Sequence, residues 1–517
     1  MHTAKININL KYNKAFKWYT NNTVFFKGYF YIDNVFYQKN EALNYISKLK
    51  EIEISTSFIK KINGVFTIMI HKGDSLLLIS DVTRSFPIFY SYAKSTWLFS
   101  DDINYLKNTV NVNYDHLSEI EFKASNHIHG SKTLIENIFQ TQSSEFLFFK
   151  NDEIKKRNFY FSYSIHQEFN LKNKELKKQT IFAFENSFKR LINSLQKRTV
   201  VIPLSAGFDS RFIAVMLKKY NYTNVICYTY GRKDSFEIKN SKKTAESLNF
   251  QWYFIEYNAE LLENFIDNIE FKKYIHFAGK MSAMPNLQEY FAVKYLKENN
   301  LIQKDSIFIP GYAGDVLGGS QFLKVIPEDL KNEEIIDLIV SSKFSNDNLS
   351  QNKKKKISIE IKKNLTNLDK NYHQNIPSSV FENYDITEKF AKYIFNSASF
   401  YNFFGFEHRV PFWDKELLLF FKKVPQKYKL LKLLFDDVLI EEYFKKFDVY
   451  FKEELQPTQK KISLQKIKGK IKPFFPTFIK QKVLKKNDWN NYQPITNQLL
   501  LEMQQNGLKV NINSNDY

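Results

Sequence analysis

Apolar and polar residues alternate almost from the first position. Ile6, Ile8, Leu10 and Tyr12 interleave with Asn7, Asn9 and Lys11, the period of a half-buried strand. Strand-like runs follow at 24–32, 65–70 and 76–79, and the Lys72-Gly73-Asp74-Ser75 segment between the last two reads as a hairpin turn. Runs at 86–92, 97–100 and 146–149 extend the β-rich character. Residues 1–161 are therefore predicted to form a mostly antiparallel sheet domain with a few helices. Residues 150–173 are polar and are expected to connect this domain to the next.

From residue 174 the period changes. Ile181, Phe184, Phe188 and Leu191 recur at helical spacing within 176–195. Val200, Val201 and Ile202 then form a short β-branched run suited to a buried parallel strand. The loop Ser205-Ala206-Gly207-Phe208-Asp209-Ser210 follows, and Phe212, Ile213, Val215, Met216 and Leu217 supply the apolar side of a helix. A second strand at 225–230, a helix at 236–248 and a third strand at 252–255 complete an alternation that predicts a doubly wound parallel sheet. Such sheets bind ligands beyond the carboxyl ends of their strands, which puts Ser205 to Ser210 at the binding edge. Free N–H groups and the helix dipole favour an anion there, and Gly207 lets backbone approach it closely. Asp209 repels phosphate, so its natural partner is Mg²⁺ bridging carboxylate and phosphate. A second Gly-rich loop, 311–320, follows a short apolar strand at 306–310 and carries one carboxylate, Asp315.

Size and charge narrow the choice. At 517 residues the chain is too long for one ordinary core, and its 50 Phe and 31 Tyr leave ample apolar surface to bury. The formal charge of +20 is spread along the chain, with one dense run at 353–356, and reads as a solvated lysine surface rather than a nucleic-acid face. The single cysteine, Cys227, sits inside a predicted strand, which excludes an internal disulfide and a cysteine-held metal cluster. The first residues do not read as a signal peptide, and no apolar run reaches 18 residues. The expectation is a cytoplasmic protein without membrane insertion.

The loop Ser205 to Ser210 resembles the SGGxDS pyrophosphate loop of the PP-loop ATP pyrophosphatases, with Ala206 in place of a glycine. It is not a Walker A loop, since the Gly-Lys-Ser/Thr ending is missing. Gly311-Tyr312-Ala313-Gly314-Asp315 is similar to the Gly-x-Gly-x-Asp-Glu loop of asparagine synthetases, with Val316 in place of the Glu. The stretch 228–248 resembles the same domain, and that likeness places Gly231 and the 235–237 segment near adenine and ribose. Glu407, Arg409, Pro411, Phe412 and Asp414 match its Glu-x-Arg-x-Pro-Phe-x-Asp motif. The motif has two readings: helix packing through Phe412 and an Arg409–Asp414 pair, or Glu407 as a base or orienting group, as in the related β-lactam synthetases. Lys461 falls where the family carries a lysine that neutralises charge on the α-phosphate, with Lys460 one place away. In the first 161 residues, Gly64, Phe66, Asp81, Pro87 and Tyr90 resemble the glutaminase (Ntn-type) domain of asparagine synthetases. His2 stands where that domain has its nucleophilic cysteine, so the likeness implies a glutaminase fold without glutaminase activity.

The resemblance implies two domains: an α+β, glutaminase-like domain at 1–161, and at 174–517 an α/β PP-loop ATP pyrophosphatase domain with extra helices. It implies ATP held by Ser205, Ala206, Gly207, Phe208, Asp209, Ser210, Gly231 and Gly314, and Mg²⁺ held by Asp209 and Asp315. A carboxylate would be adenylated with release of pyrophosphate, then joined to ammonia or an amine. Aspartate is the family's name-giving substrate. A sugar carboxylate in surface-polysaccharide synthesis, and intramolecular closure as in lasso-peptide cyclases, are the alternatives within the family. A non-catalytic scaffold and a tRNA-modifying pyrophosphatase lie outside it; the single cysteine and the glutaminase-like domain weigh against the latter.

Overall fold

The computed structural model describes residues 4–322, 324–395, 399–455 and 488–507. In the N-terminal part the strands are β1 (Lys5–Asn9), β2 (Trp18–Thr20), β3 (Val24–Ile32), β4 (Val35–Gln38), β5 (Asn63–Lys72), β6 (Ser75–Ser80), β7 (Phe89–Ala93), β8 (Thr96–Ser100), β9 (Phe139–Gln140), β10 (Glu145–Lys150) and β11 (Glu153–Phe159). The last of these lies in the segment expected to be only a connector. Its side chains are mostly half-buried or exposed, so it lacks the apolar run that marks a strand in sequence.

Two sheets result. One has the order β11-β10-β6-β5-β3-β2 with β4 on β3, and its pairings are antiparallel; the other has the order β1-β8-β7-β9. The β1–β8 pair is parallel, an exception to the antiparallel expectation. Strand periodicity decides what each face touches. Met69, Leu76 and Leu78 point from the larger sheet toward Tyr90, Trp97 and Phe99 of the smaller one. Ile68, Ile70, Leu77 and Ile79 point the other way, onto Ala42, Leu43 and Ile46 of the helix Lys39–Ser47. Phe89 and Leu98 on the far face of the smaller sheet meet Ile103 and Leu106 of the helix Ile103–Lys107. The layers therefore run helix, sheet, sheet, helix. Asp81 pins the turn that follows β6, accepting from the N–H groups of Phe66 and Thr83, each at 2.7 Å, and from the Thr83 hydroxyl at 2.8 Å.

The C-terminal part is built on β12 (Val200–Pro203), β13 (Val225–Gly231), β14 (Gln251–Glu256), β15 (Ile307–Phe308) and β16 (Glu407–His408), in the parallel order β14-β13-β12-β15-β16. Val200 and Ile202 face a core shared with helices Asn173–Leu195 and Phe208–Lys219, while Val201 faces the opposite core, with helix Tyr290–Glu298. Helices on both faces make this the doubly wound arrangement expected. A third cluster joins the helices Asn332–Lys343, Gln351–Leu368 and Pro377–Tyr384. The lysine run 353–356 lies on the second of these, whose other side buries Ile357, Ile361 and Leu365.

The two parts share a core. Phe16, Tyr29, Tyr31, Val65 and Phe86 belong to the same buried cluster as Phe184, Leu191, Phe412 and Trp413. The Asn63 side-chain amide donates to Asp414 at 2.9 Å, and its oxygen accepts from the Lys415 N–H at 2.8 Å. The buried Lys392 ammonium donates to the carbonyls of Ile128 and Gly130 across the same boundary.

Candidate functional site

The loop after β12 behaves as its composition predicts. Ser205 and Ser210 clasp its ends: the Ser205 N–H donates to the Ser210 hydroxyl at 3.0 Å, and the two hydroxyls lie 3.1 Å apart. The Gly207 N–H donates to the Ser205 hydroxyl at 3.1 Å, and Gly207 is the N-cap of the following helix. Ala206 keeps out of the left-handed region, so the alanine that departs from the SGGxDS pattern is unstrained. Its N–H donates to Glu237, near the start of the next helix, which holds the loop from behind.

Asp209 stands at the centre. One carboxylate oxygen accepts from the Asp315 N–H at 2.9 Å; the other, Oδ1, is buried with no hydrogen-bond partner. Burial, and then the neighbouring Asp315 carboxylate, push the Asp209 carboxyl up to about 8 against the pull of Lys432. The chain thus brings together two acidic residues more than a hundred positions apart. Gly314 explains how the second loop comes so close: a Cβ there would lie 2.6 Å from the Asp209 carboxyl carbon. An orphaned buried carboxylate oxygen beside a second carboxylate at the carboxyl edge of a parallel sheet suits a divalent cation, which would also relieve the charge burial raises. Val316, which replaces the family's Glu, is buried in the apolar core, so Asp209 and Asp315 are the acidic pair available. No cluster of three or more His, Cys, Asp or Glu occurs among the described residues.

These loops open into a hollow of about 420 Å³, lined by Ser205, Gly207, Phe208, Asp209, Ser210 and Asp315 on the phosphate-loop side. The opposite wall is formed by residues that sequence reasoning missed: Thr229, Tyr230, Glu289, Tyr312, Lys432 and Trp489. Glu289 is the chemically notable one. It is buried and accepts from the hydroxyls of Tyr228, Tyr401 (2.5 Å) and Tyr312 (3.5 Å). Burial pushes its carboxyl up to about 7, although all three hydroxyls oppose that shift. Lys432 has φ +59 and places its ammonium by Asp209 and Asp436. Burial works against its charge, but the carboxylates of Asp436, Asp209 and Asp315 outweigh it and hold it above the usual lysine value. Neither residue lies in a run that periodicity or composition distinguishes; only folding brings them to Asp209.

Two expected site residues stand elsewhere. Gly231 does not line the hollow. Its φ of +122 and its bare α-carbon admit the C-terminal segment, where a Cβ would meet the Trp489 carbonyl oxygen at 2.5 Å. Trp489 itself covers Tyr230 and lines the hollow, so Gly231 acts through what it lets dock. Glu407 is the clear correction. It pairs in register with Ile307, which pairs with Val200, so it lies at the amino ends of the strands, away from the loops. There it holds Arg198 at 3.0 Å and Arg409 at 2.9 Å. Burial would raise its carboxyl, but Arg409 and Arg198 hold it below the ordinary range, which is no setting for a base. The motif's Arg and Asp also do not pair with each other, because Asp414 takes a two-pronged contact from Arg190 at 2.7 Å. Lys460 and Lys461 lie outside the described residues.

Two carboxylate-bearing loops and a helix N-terminus meet at the carboxyl edge of a parallel sheet, an arrangement of the α/β class suited to a phosphate-bearing ligand. Residues 183–435, just under half of the chain, match the family model described as asparagine synthase. No curated protein matches the chain. Among solved structures it is similar to an NH3-dependent NAD synthetase from Campylobacter jejuni, with 17% identity over 38% of this chain and 83% of that one, at a TM-score of 0.20. It is also similar to an NMN synthetase from Francisella tularensis, with 15% identity over 36% and 78% and a TM-score of 0.19. A U34-tRNA thiolase from Methanococcus maripaludis has 16% identity over 43% and 84%, with a TM-score of 0.22.

Proposed function

We propose that this chain is an AMP-forming carbon–nitrogen ligase that adenylates a carboxylate with ATP and passes the acyl group to ammonia or an amine. The observation that carries the reading is the buried, unpartnered oxygen of Asp209 beside Asp315 at the mouth of the phosphate-type loop. The Ser205 and Ser210 hydroxyls orient the nucleotide's phosphates, Gly207 lets them approach the backbone, and the helix Phe208–Lys219 adds its dipole. Asp209 and Asp315 would hold Mg²⁺, which supplies charge neutralisation on the phosphate tail when bound. The substrate carboxylate attacks the α-phosphorus and displaces pyrophosphate; the amine then attacks the acyl carbon and displaces AMP. Lys432 neutralises charge building on the phosphates, the part the family likeness gives to Lys461. Glu289, on the wall with a carboxyl near neutrality, is placed to take the proton released by the attacking amine.

The nitrogen arrives as ammonia or as an amine on a substrate. No cysteine occurs in residues 1–161, and Cys227 is buried in β13 with its thiol pushed far up by burial. The helix–sheet–sheet–helix layering supports the reading of that region as a glutaminase-type scaffold without the chemistry. The test is carboxylate-dependent exchange of labelled pyrophosphate into ATP, screened over aspartate, uronic acids and peptide acids. One acid class should give exchange and so name the substrate. A chain that binds no Mg-ATP and exchanges with none of the acids is a scaffold, and the proposal is then wrong.

A further inference from the structure

A second cavity, of about 490 Å³, lies at the seam between the two parts of the chain. Its walls come from Tyr12, Phe16, Phe86 and Pro87 on one side and Phe277 and Phe403 on the other. A smaller space beside Arg84 and His408 shares Lys280 and Asn402 with its lining. The body is apolar and aromatic, yet the charges set into it are positive with a single exception. Lys27 and Lys280 project inside, and Lys14 and Lys273 stand exposed at the rim.

The one carboxylate in the lining, Asp101, is already engaged. It accepts from the N–H groups of Lys11 at 2.7 Å and Tyr12 at 3.1 Å and from the Trp18 indole at 2.8 Å. It also lies 3.7 Å from the Lys27 ammonium, which donates to the Tyr12 carbonyl at 2.6 Å. Lys11 is paired with Asp102 at 2.6 Å, and Lys14 donates to the Phe403 carbonyl at 3.2 Å. Lys280 is left over. Among the described residues its ammonium has no hydrogen-bond or ion-pair partner, only the Phe277 ring at 5.6 Å. Burial, followed by Arg84 and Lys27, brings its ammonium down to about 7. Lys280 is half-buried and stands among aromatic rings with the Arg84 and Lys27 cations near by, so an anion pairing with it would relieve that like-charge repulsion.

We propose that the seam cavity is a binding site for a small organic anion with an apolar or aromatic body, whose acidic group pairs with the Lys280 ammonium while its body lies among Phe16, Phe86, Phe277 and Phe403. The site is separate from the hollow at Asp209 and does not depend on that hollow's function: the two linings share no residue.

The probe is 1-anilinonaphthalene-8-sulfonate, an aromatic body bearing one anionic group, titrated into the full-length chain by fluorescence, with decanoate and phenyl phosphate as competitors. One saturable site is expected, displaced by the competitors and left intact in Asp209→Asn. Lys280→Met should weaken the probe by about tenfold or more, as befits loss of one charged hydrogen bond, while the thermal midpoint holds or rises. Lys280→Arg should restore binding. Decanoate winning the competition assigns a carboxylate ligand; phenyl phosphate winning assigns a phosphate ester. The proposal is overturned if the Met variant binds the probe within about twofold of the unaltered chain, if Lys280→Arg fails to restore binding, or if no saturable binding occurs.

Discussion

Two carboxyl groups at the hollow beside Ser205 to Ser210 have been moved far from their ordinary range by burial. Asp209 is pushed to about 8 and Glu289 to about 7, from 3.8 and 4.5. Each is neutral in the folded chain over a range where the unfolded chain would ionise it. The stability gained from that neutral form is complete below the unfolded values and is lost as pH climbs through about 7 and about 8. The ligand-free chain should therefore unfold at a lower temperature at pH 8 than at pH 5. Asp209→Asn and Glu289→Gln should each recover roughly 1–2 kcal/mol at pH 8 and little at pH 4. Calorimetric scans across that range check it; a loss of stability at pH 8 in Asp209→Asn would contradict the burial argument. The same Asp209→Asn change should abolish pyrophosphate exchange, because the amide keeps the Asp315 contact but offers a cation no charge. A residue that destabilises the empty fold and is needed only by its ligand is the usual mark of a functional position.

At the scale of single elements, β16 shows how a motif and a catalytic role come apart. Its Glu-x-Arg spacing was open to a catalytic reading, yet the strand runs with Glu407 at the sheet's amino end, between Arg198 and the fully buried Arg409. Glu407→Gln should cost about 3 kcal/mol, since it leaves a buried guanidinium short of its counter-charge. Urea unfolding measures that cost, and exchange per folded molecule should stay near the unaltered level. A large loss of exchange in a normally stable variant would return Glu407 to the site. The helix Ser399–Phe404 connects neighbouring regions: Tyr401 donates to Glu289 in the hollow, and Asn402 and Phe403 line the seam cavity. Strands with long apolar runs were legible from periodicity alone; β3 spans 24–32 as its pattern predicts. The polar β11 was not, because a strand at the edge of a sheet needs its neighbour, here β10, rather than its own side chains to be a strand.

Taken whole, the molecule is less divisible than its change of period implies. Residues 1–161 and 174–517 each contain their own sheets, but the core around Phe16, Tyr29 and Val65 is completed by Phe184, Leu191 and Phe412. A fragment of residues 174–517 produced alone would expose that apolar surface and leave the Lys415 N–H and the Lys392 ammonium without Asn63, Ile128 and Gly130. It should be recovered mainly as aggregate, and co-production with residues 1–161 should bring it back into solution. A monodisperse, cooperatively unfolding fragment would show that the shared core is dispensable. Among the described residues no helix is long and apolar enough to cross a membrane.

Local order was within reach of the sequence, because the strand and helix periods, the small-residue loop after a β-branched run and the Gly-rich loop bearing Asp315 are written in consecutive residues. That is why Ser205 to Ser210 and the Asp209–Asp315 pairing were foreseeable. Tertiary structure alone decided which scattered side chains line the hollow. Glu289, Lys432 and Trp489 have no local signature, since their roles depend on distances across the fold. It also decided that Glu407 faces Arg198 and Arg409, and that Lys280 lies unpaired among the described residues in an aromatic seam. Charge and burial act through space, and spacing along a chain carries no record of them until the chain has closed on itself.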